Sequence, residues 1–312
     1  MAPTAFLPPV ADAEAFRPLR NADIYRPAVA AIAERHGLAG DEPHRYAGGS
    51  LPVFALGGEH VIKLFPPPFR RNRDNERDAL AFLAGRLAVA TPALRAAGDL
   101  DDWPYLVMSQ LPGRRMDDVW PSLGRAARVR LAGRVGAMIG ELHALPAGGD
   151  TLPFAHIVWD AFIDAQRAGC AARQAGRGAD PSWVERIPDF LASLDLTDAR
   201  PPVFLHTEVM PDHMLVSDDG RLTGLVDFEP SMIGGREYEF ASVGIFFAAG
   251  DGELLRTALD EAGCPRDAAL SRRLCGYALL HRYSHLGWYL ERMPPRPGVD
   301  SFDALAAQWF AH

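Results

Sequence analysis

The sequence predicts an α+β fold in two lobes, a small β-rich N-terminal lobe over residues 1–111 and a larger helical lobe over 112–312. Three observations carry that expectation. The chain has 312 residues, more than one simple domain usually needs. Between residues 44 and 65 the apolar residues fall in short runs separated by glycine pairs, the pattern of hairpins. Beyond residue 112 the period becomes helical, apart from one β-rich island at 202–229 with a high density of polar residues.

Each element follows from its local pattern. Residues 22–38 place apolar side chains at helical spacing, with Gly37 as a C-cap. Three strands follow, one ending near Tyr46, one over 52–56 and one over 60–65, divided by Gly48-Gly49 and Gly57-Gly58. A helix is expected over 74–88 with Asp74 as its N-cap. The run WPYLVMSQL at 103–111 is a buried strand ended by Pro112-Gly113. A long amphipathic helix covers 122–144, with Leu131, Val135, Met138, Ile139 and Leu142 on one side. More helix is expected over 154–194, broken by a Gly/Ala/Arg-rich loop at 176–181. The island at 202–229 contains a hairpin at Asp219-Gly220, and 237–312 is helical again.

Composition narrows the function classes. Hydrophobic residues make up 48% and charged residues 23%, enough for a sizeable core. A formal net charge of −8 argues against a nucleic-acid surface and mildly favours a cationic ligand. Cys170, Cys264 and Cys275 lie far apart with no CxxC pair, so neither a disulfide framework nor a zinc site is expected. The start of the chain lacks a basic segment followed by a long apolar run, and no stretch approaches the ~18 apolar residues of a membrane helix. The expectation is a cytoplasmic protein without membrane or nucleic-acid partners, monomeric or weakly dimeric.

The residues with chemical potential fall in an ordered series. Gly48-Gly49-Ser50 sits between the first two strands, where Gly49 and Ser50 could offer backbone N–H groups to phosphates or simply form a hairpin turn. Lys63 lies in the apolar run VIKLF, and a buried ammonium needs a partner. Glu76, thirteen residues on, suits an ion pair with it, with Glu42, Glu59 and Asp78 as competitors. Asp227 ends the apolar strand LVDF, where a carboxylate is costly without a cation. A small β-rich lobe, a hinge strand, and a helical lobe holding a polar hairpin are together the plan of a two-lobed kinase.

The segment His206-Thr207-Glu208-Val209-Met210-Pro211-Asp212-His213-Met214-Leu215-Val216, followed across a short turn by Leu225-Val226-Asp227-Phe228-Glu229, makes the pattern specific. It resembles the aminoglycoside phosphotransferase motif H-G-D-x-x-x-x-N-x-L, followed by two hydrophobic residues and D-F. VIKLF, WPYLVMSQLPG, MIGELHAL and TGLVDFEPSMIGGREYEFA match in order. YALLHRYSHLGWYLERMP and SFDALAAQWF are similar to hygromycin B phosphotransferases in particular. The likeness spans roughly residues 45–312.

The resemblance implies an ATP-dependent phosphotransferase acting on a small-molecule hydroxyl. ATP would bind at the hinge, with Ser109 to Leu111 giving backbone hydrogen bonds and Met108 lining the adenine pocket. Lys63 would hold phosphates, Glu76 would hold Lys63, and Asp227 with His213 would hold Mg²⁺. Glu208 would orient or deprotonate the acceptor, His206 would orient the loop, and Glu239 would brace it.

Two departures fall on the chemistry: Glu208 replaces the family's catalytic aspartate and His213 its metal-binding asparagine. Thr207, in place of glycine, is a milder third. Imidazole suits softer ions than Mg²⁺, so His213 either contacts a phosphate or an outer-shell water, or tilts the site toward Mn²⁺.

Two other readings stand beside this one. A kinase-fold binding protein without turnover would also carry these replacements, and His206, Glu208 and His213 superficially resemble an iron-binding facial triad. For a cationic acceptor the candidate carboxylates are Asp160, Asp164, Glu229, Glu237 and Glu291. His281, Arg282, His285 and Arg292 crowd the C-terminal stretch as a surface face or as part of the pocket. Tyr283, Trp288 and Tyr289 could stack on a sugar ring or pack in the core.

Overall fold

The computed structural model describes residues 5–38, 42–147, 157–197 and 200–312. They form two compact units: one of residues 1–112 with 224–230, the other of 113–223 with 231–312.

The first unit opens with helices α1 (Ala13–Phe16) and α2 (Arg26–Arg35). Gly37 takes φ +69° past the end of α2, and Leu38 N–H returns to Ala33 O, which closes the helix. Strands β1 (His44–Arg45), β2 (Val53–Leu56) and β3 (His60–Leu64) follow, then helix α3 (Arg70–Leu83), β4 (Leu94–Leu100) and β5 (Trp103–Ser109). All neighbours in the sheet are antiparallel, in the order β1-β2-β3-β5-β4. Lys63 stands opposite Leu106 on β5. Phe16 and Tyr25 pack on Trp103, with centroids 6.1 and 5.7 Å away, which ties the N-terminal helices to the sheet.

Two elements differ from expectation. Helix α3 starts at Arg70, one residue past the Pro66-Pro67-Pro68 run, so Asp74 is no cap but lies within the helix, paired with Arg73 at 3.1 Å and Arg77 at 3.2 Å. Strand β4 is an addition. Its sequence, LRAAGDL, lacks β-branched residues, yet it forms because it pairs with the strongly apolar β5. Gly98 is needed there, since a Cβ would come within 2.5 Å of Tyr105 Oη on the facing strand.

The second unit contains β6 (Arg114–Arg115), α4 (Met116–Val119) and the long α5 (Arg125–Ala144). Then come α6 (Trp159–Gly176), α7 (Pro181–Val184) and α8 (Ile187–Ala192); residues 154–156 of the expected helical stretch lie outside the described residues. The island resolves into β7 (Val203–Leu205), β8 (Met214–Val216), β9 (Leu222–Leu225) and β10 (Met232–Gly234), with β7 paired to β10 and β8 to β6. The last two residues of β9 belong to the first unit, where Leu225 N–H donates to Ala90 O.

Helix α9 (Glu239–Ser242) runs into a π-turn over Val243–Ala248. It is followed by α10 (Gly252–Glu261), α11 (Leu270–Leu280), α12 (Leu286–Arg292) and α13 (Phe302–Trp309). Gly136 of α5 lies against α10 so closely that a Cβ would sit 2.3 Å from Ala258 O. The three cysteines are buried and unbridged. No helix among the described residues is long and apolar enough to cross a membrane.

Candidate active site

The first unit gathers charge around one lysine. Alternation along β3 puts Val61 and Lys63 on one side of the strand, and Lys63 is 5% exposed. Its Nζ lies 2.7 Å from Asp227 Oδ1, 2.8 Å from Glu76 Oε2 and 3.6 Å from Glu229 Oε2. Glu76 occupies the buried stripe of α3 with Ala79, Leu80 and Leu83, so helical geometry itself turns its carboxylate inward. The competing carboxylates are engaged elsewhere, Asp78 with Arg77 and Glu42 with Arg26.

Asp227 adopts φ +70°, a left-handed backbone that aspartate tolerates at a cost of about 1–2 kcal/mol. Asn75 Nδ2 donates to Glu229 O at 2.7 Å and pins the segment that follows Asp227.

This cluster sets one ammonium against three carboxylates whose oxygens lie within 4.8 Å of one another. Burial disfavours the charge on Lys63, but Asp227, Glu76 and Glu229 together hold its pKa well above the ordinary value. Burial pushes the Glu76 carboxyl up, Lys63 opposes this, and the charge of Asp227 adds to it. The surplus of negative oxygen donors suits a hard divalent cation. Glu229 therefore belongs with the lysine and is not a carboxylate for an acceptor.

Along β5 the hinge donors are partly spoken for. Ser109 N–H donates to Ala93 O and Gln110 N–H to Glu59 O, both within the unit. Among the described residues, Leu111 N–H makes no such bond, and Met108 is buried beside it. Gly48 and Gly49 take φ +82° and +83°, and Ser50 is exposed next to them. Only glycine adopts that double left-handed turn without strain.

The second unit builds a loop on β7. Glu239 at the start of α9 accepts from His206 N–H at 2.7 Å and from Thr207 N–H at 2.8 Å, one oxygen each. Burial pushes its carboxyl up to about 8, against the pull of those two donors. His206 is fully buried, and its Nδ1 accepts from Glu208 N–H at 3.2 Å. Glu208 itself is half-buried, and its carbonyl lies 3.0 Å from His213 Nδ1. That carbonyl can only accept, so Nδ1 of His213 carries the proton and its lone pair is on Nε2. A backbone-anchored Nδ1–H is the usual support of an imidazole that ligates a metal through Nε2. Among the described residues, the group of three or more such side chains close enough to share a cation is Glu76, Asp227 and Glu229; His206, Glu208 and His213 do not form one, which disfavours the iron triad.

The outlying candidates separate by burial. Glu237 accepts from Nε and Nη2 of Arg273, at 2.7 and 2.9 Å, and is a structural carboxylate. Asp160, Asp164 and Glu291 are exposed. His281 is 4% exposed, so it is no member of a surface face, and His285 caps α12 by accepting from Trp288 N–H. Tyr289 is core, 6.4 Å from Trp309, whereas Trp288 keeps an exposed side, with Phe246 at 5.4 Å and Arg292 over its ring at 5.3 Å.

The model of a family described as the phosphotransferase enzyme family (APH) matches residues 44–275. The chain belongs to this family. Solved structures with the same fold include the GDP complex of wild-type aminoglycoside 2'-phosphotransferase-IIIa, at 19% identity and a TM-score of 0.66, covering 89% of this chain and 95% of that one. The streptomycin–ATP ternary complex of APH(2")-IIa aligns at 16% identity and 0.64, over 90% and 98% of the two chains. Macrolide 2'-phosphotransferase MphH from Brachybacterium faecium aligns at 22% identity and 0.60, over 90% and 97%. Family membership makes the chain an enzyme of the kinase-like phosphotransferase type, an α+β fold with a β-sheet N-terminal region and a helical C-terminal region.

Proposed function

We propose that this phosphotransferase transfers the γ-phosphoryl group of ATP to a hydroxyl of a small, sugar-containing molecule. The observation that carries this reading is the buried Lys63, fixed by Glu76 and facing Asp227. Phosphoryl transfer needs positioning and charge neutralisation more than covalent help. Lys63 neutralises phosphate charge, Glu76 keeps it extended, and Leu111 with Met108 and Ser109 receives the base. Gly49 and Ser50 lend backbone N–H groups to the phosphates. Glu208 accepts the hydrogen bond of the acceptor hydroxyl, aligns its lone pair with the γ-phosphorus and takes its proton as the new O–P bond forms and the bond from the γ-phosphorus to the β,γ-bridging oxygen breaks, releasing ADP. Asp227 and His213 would hold a divalent cation, which supplies further neutralisation on the phosphates. An intact Lys63–Glu76 pair and Asp227 disfavour a binding protein without turnover.

Similar proteins carry GDP, ATP, kanamycin or streptomycin in their structures, and one acts on macrolides. The net charge of −8 favours a cationic acceptor. The C-terminal likeness to hygromycin B phosphotransferases makes hygromycin B the first compound to try, which would place the protein in antibiotic resistance. Incubation of aminoglycosides, macrolides and simple amino sugars with ATP or GTP, followed by mass spectrometry, should show one added phosphoryl group on the acceptor. Phosphate appearing only on proteins or lipids would overturn the small-molecule assignment.

His213 gives a separate expectation. With Nε2 presented to the ion, turnover with Mn²⁺ exceeds turnover with Mg²⁺, and His213→Asn shifts the preference back toward Mg²⁺. Identical metal profiles for the two proteins would remove the imidazole from the ligand set.

A further inference from the structure

Thr207 is the most strained residue of the loop that carries Glu208. Its φ is +73°, and a β-branched side chain in the left-handed region costs on the order of 1–3 kcal/mol. Such a backbone persists only where its surroundings hold it from both sides. On the N-terminal side the holder is Glu239, which takes the N–H groups of His206 and Thr207. On the C-terminal side the Thr207 carbonyl lies 3.0 Å from Nε2 of His281, a residue just past the end of α11.

The chemistry of that contact is fixed by the other ring nitrogen. Tyr283 N–H donates to His281 Nδ1 at 3.3 Å, so Nδ1 is the acceptor and Nε2 carries the hydrogen given to Thr207. Burial lowers the His281 pKa to about 4, so the ring is neutral at ordinary pH and keeps one donor and one acceptor. Its plane lies 22° from that of Tyr238, with centroids 5.2 Å apart, and Tyr238 OH in turn accepts from Arg282 N–H at 3.2 Å. The imidazole is thus locked in orientation by a stack on one side and by the adjoining backbone on the other.

We propose that His281 is a positioning residue for phosphoryl transfer, clamping the Thr207 carbonyl so that the strained peptide presents the Glu208 carboxylate to the acceptor. This deepens the reading of Glu208 given above and rests on it. The family motif has glycine at this position, and a glycine would hold φ +73° without strain. The clamp is the counterpart of threonine in this chain.

His281→Phe keeps the ring on Tyr238 but withdraws the donor. The expected result is a fall in kcat of about 10–100-fold, the scale of a misplacement on the order of 1 Å, with the KM for ATP unchanged. His281→Gln, which can still donate, retains most of the turnover. Adding Thr207→Gly to His281→Phe recovers much of the loss, because the backbone then needs no clamp. Amide exchange over residues 203–214 gives a readout free of turnover: faster in His281→Phe, and slowed again in the double variant. A wild-type protein inactive on every acceptor would defeat the phosphotransfer reading, while exchange would still decide the clamp. Unchanged exchange and unchanged kcat in His281→Phe would overturn the proposal. So would a kcat loss that Thr207→Gly does not relieve.

Discussion

Asp227→Asn removes phosphoryl transfer while leaving the fold intact. The variant keeps the shape of the side chain but loses the charge that, in the proposed role, meets the cation. Loss of such preorganised charge costs several kcal/mol in the transition state, a fall in kcat of at least about 10²–10³-fold. Its thermal stability changes little, because Lys63 retains Glu76 at 2.8 Å and Glu229 at 3.6 Å, and one of three crowded carboxylates has been neutralised. Lys63→Ala also abolishes turnover, but by contrast it leaves three carboxylates within 4.8 Å of one another and no ammonium among them. Breaking a buried pair from one side costs about 3–5 kcal/mol, so Lys63→Ala melts well below wild type. Steady-state ADP release and thermal denaturation of both variants check this pair of outcomes. Near-wild-type turnover in Asp227→Asn would end the kinase reading.

Glu208→Gln has the second large effect. The amide preserves size and the backbone bonds of the loop, in which Glu208 N–H reaches His206 and its carbonyl receives His213. What disappears is a carboxylate able to accept the hydroxyl proton, and general-base assistance of this kind contributes about 10²–10⁴-fold. The loss falls on kcat for a confirmed acceptor, with ATP binding unaltered. Full rate in Glu208→Gln would show that the carboxylate has no such role.

Much of this architecture is legible in the sequence because it follows from local periodicity. Lys63 is visible as the one charge in the apolar run VIKLF, and Glu76 as a carboxylate thirteen residues on, though Glu42, Glu59 and Asp78 compete with it until helix α3 turns Glu76 inward. The left-handed turns at Gly48 and Gly49 announce themselves by composition. What local periodicity does not carry depends on contacts distant in sequence. Glu229 reads as a carboxylate for a cationic acceptor, and only the approach of α3, through Asn75 and Glu76, places it on Lys63. His281 reads as one of several basic surface residues, whereas it is buried 74 positions from the carbonyl it holds. Strand β4 has no intrinsic β signal and is made by its neighbour β5. Helix α3 starts at Arg70 and not at an Asp74 cap, because the three prolines before it are the stronger punctuation.

In the proposed role, the Lys63–Asp227 cluster serves phosphoryl transfer from ATP. The decisive measurement is ADP formation from ATP by the purified wild-type protein, with Mg²⁺ or Mn²⁺ and an acceptor panel, beside Asp227→Asn under the same conditions. The expected result is metal-dependent ADP release by wild type, matched by phosphate on an acceptor hydroxyl, and none above background from Asp227→Asn. ADP release that is equal in the two proteins, or absent from wild type with every metal and acceptor, would contradict it.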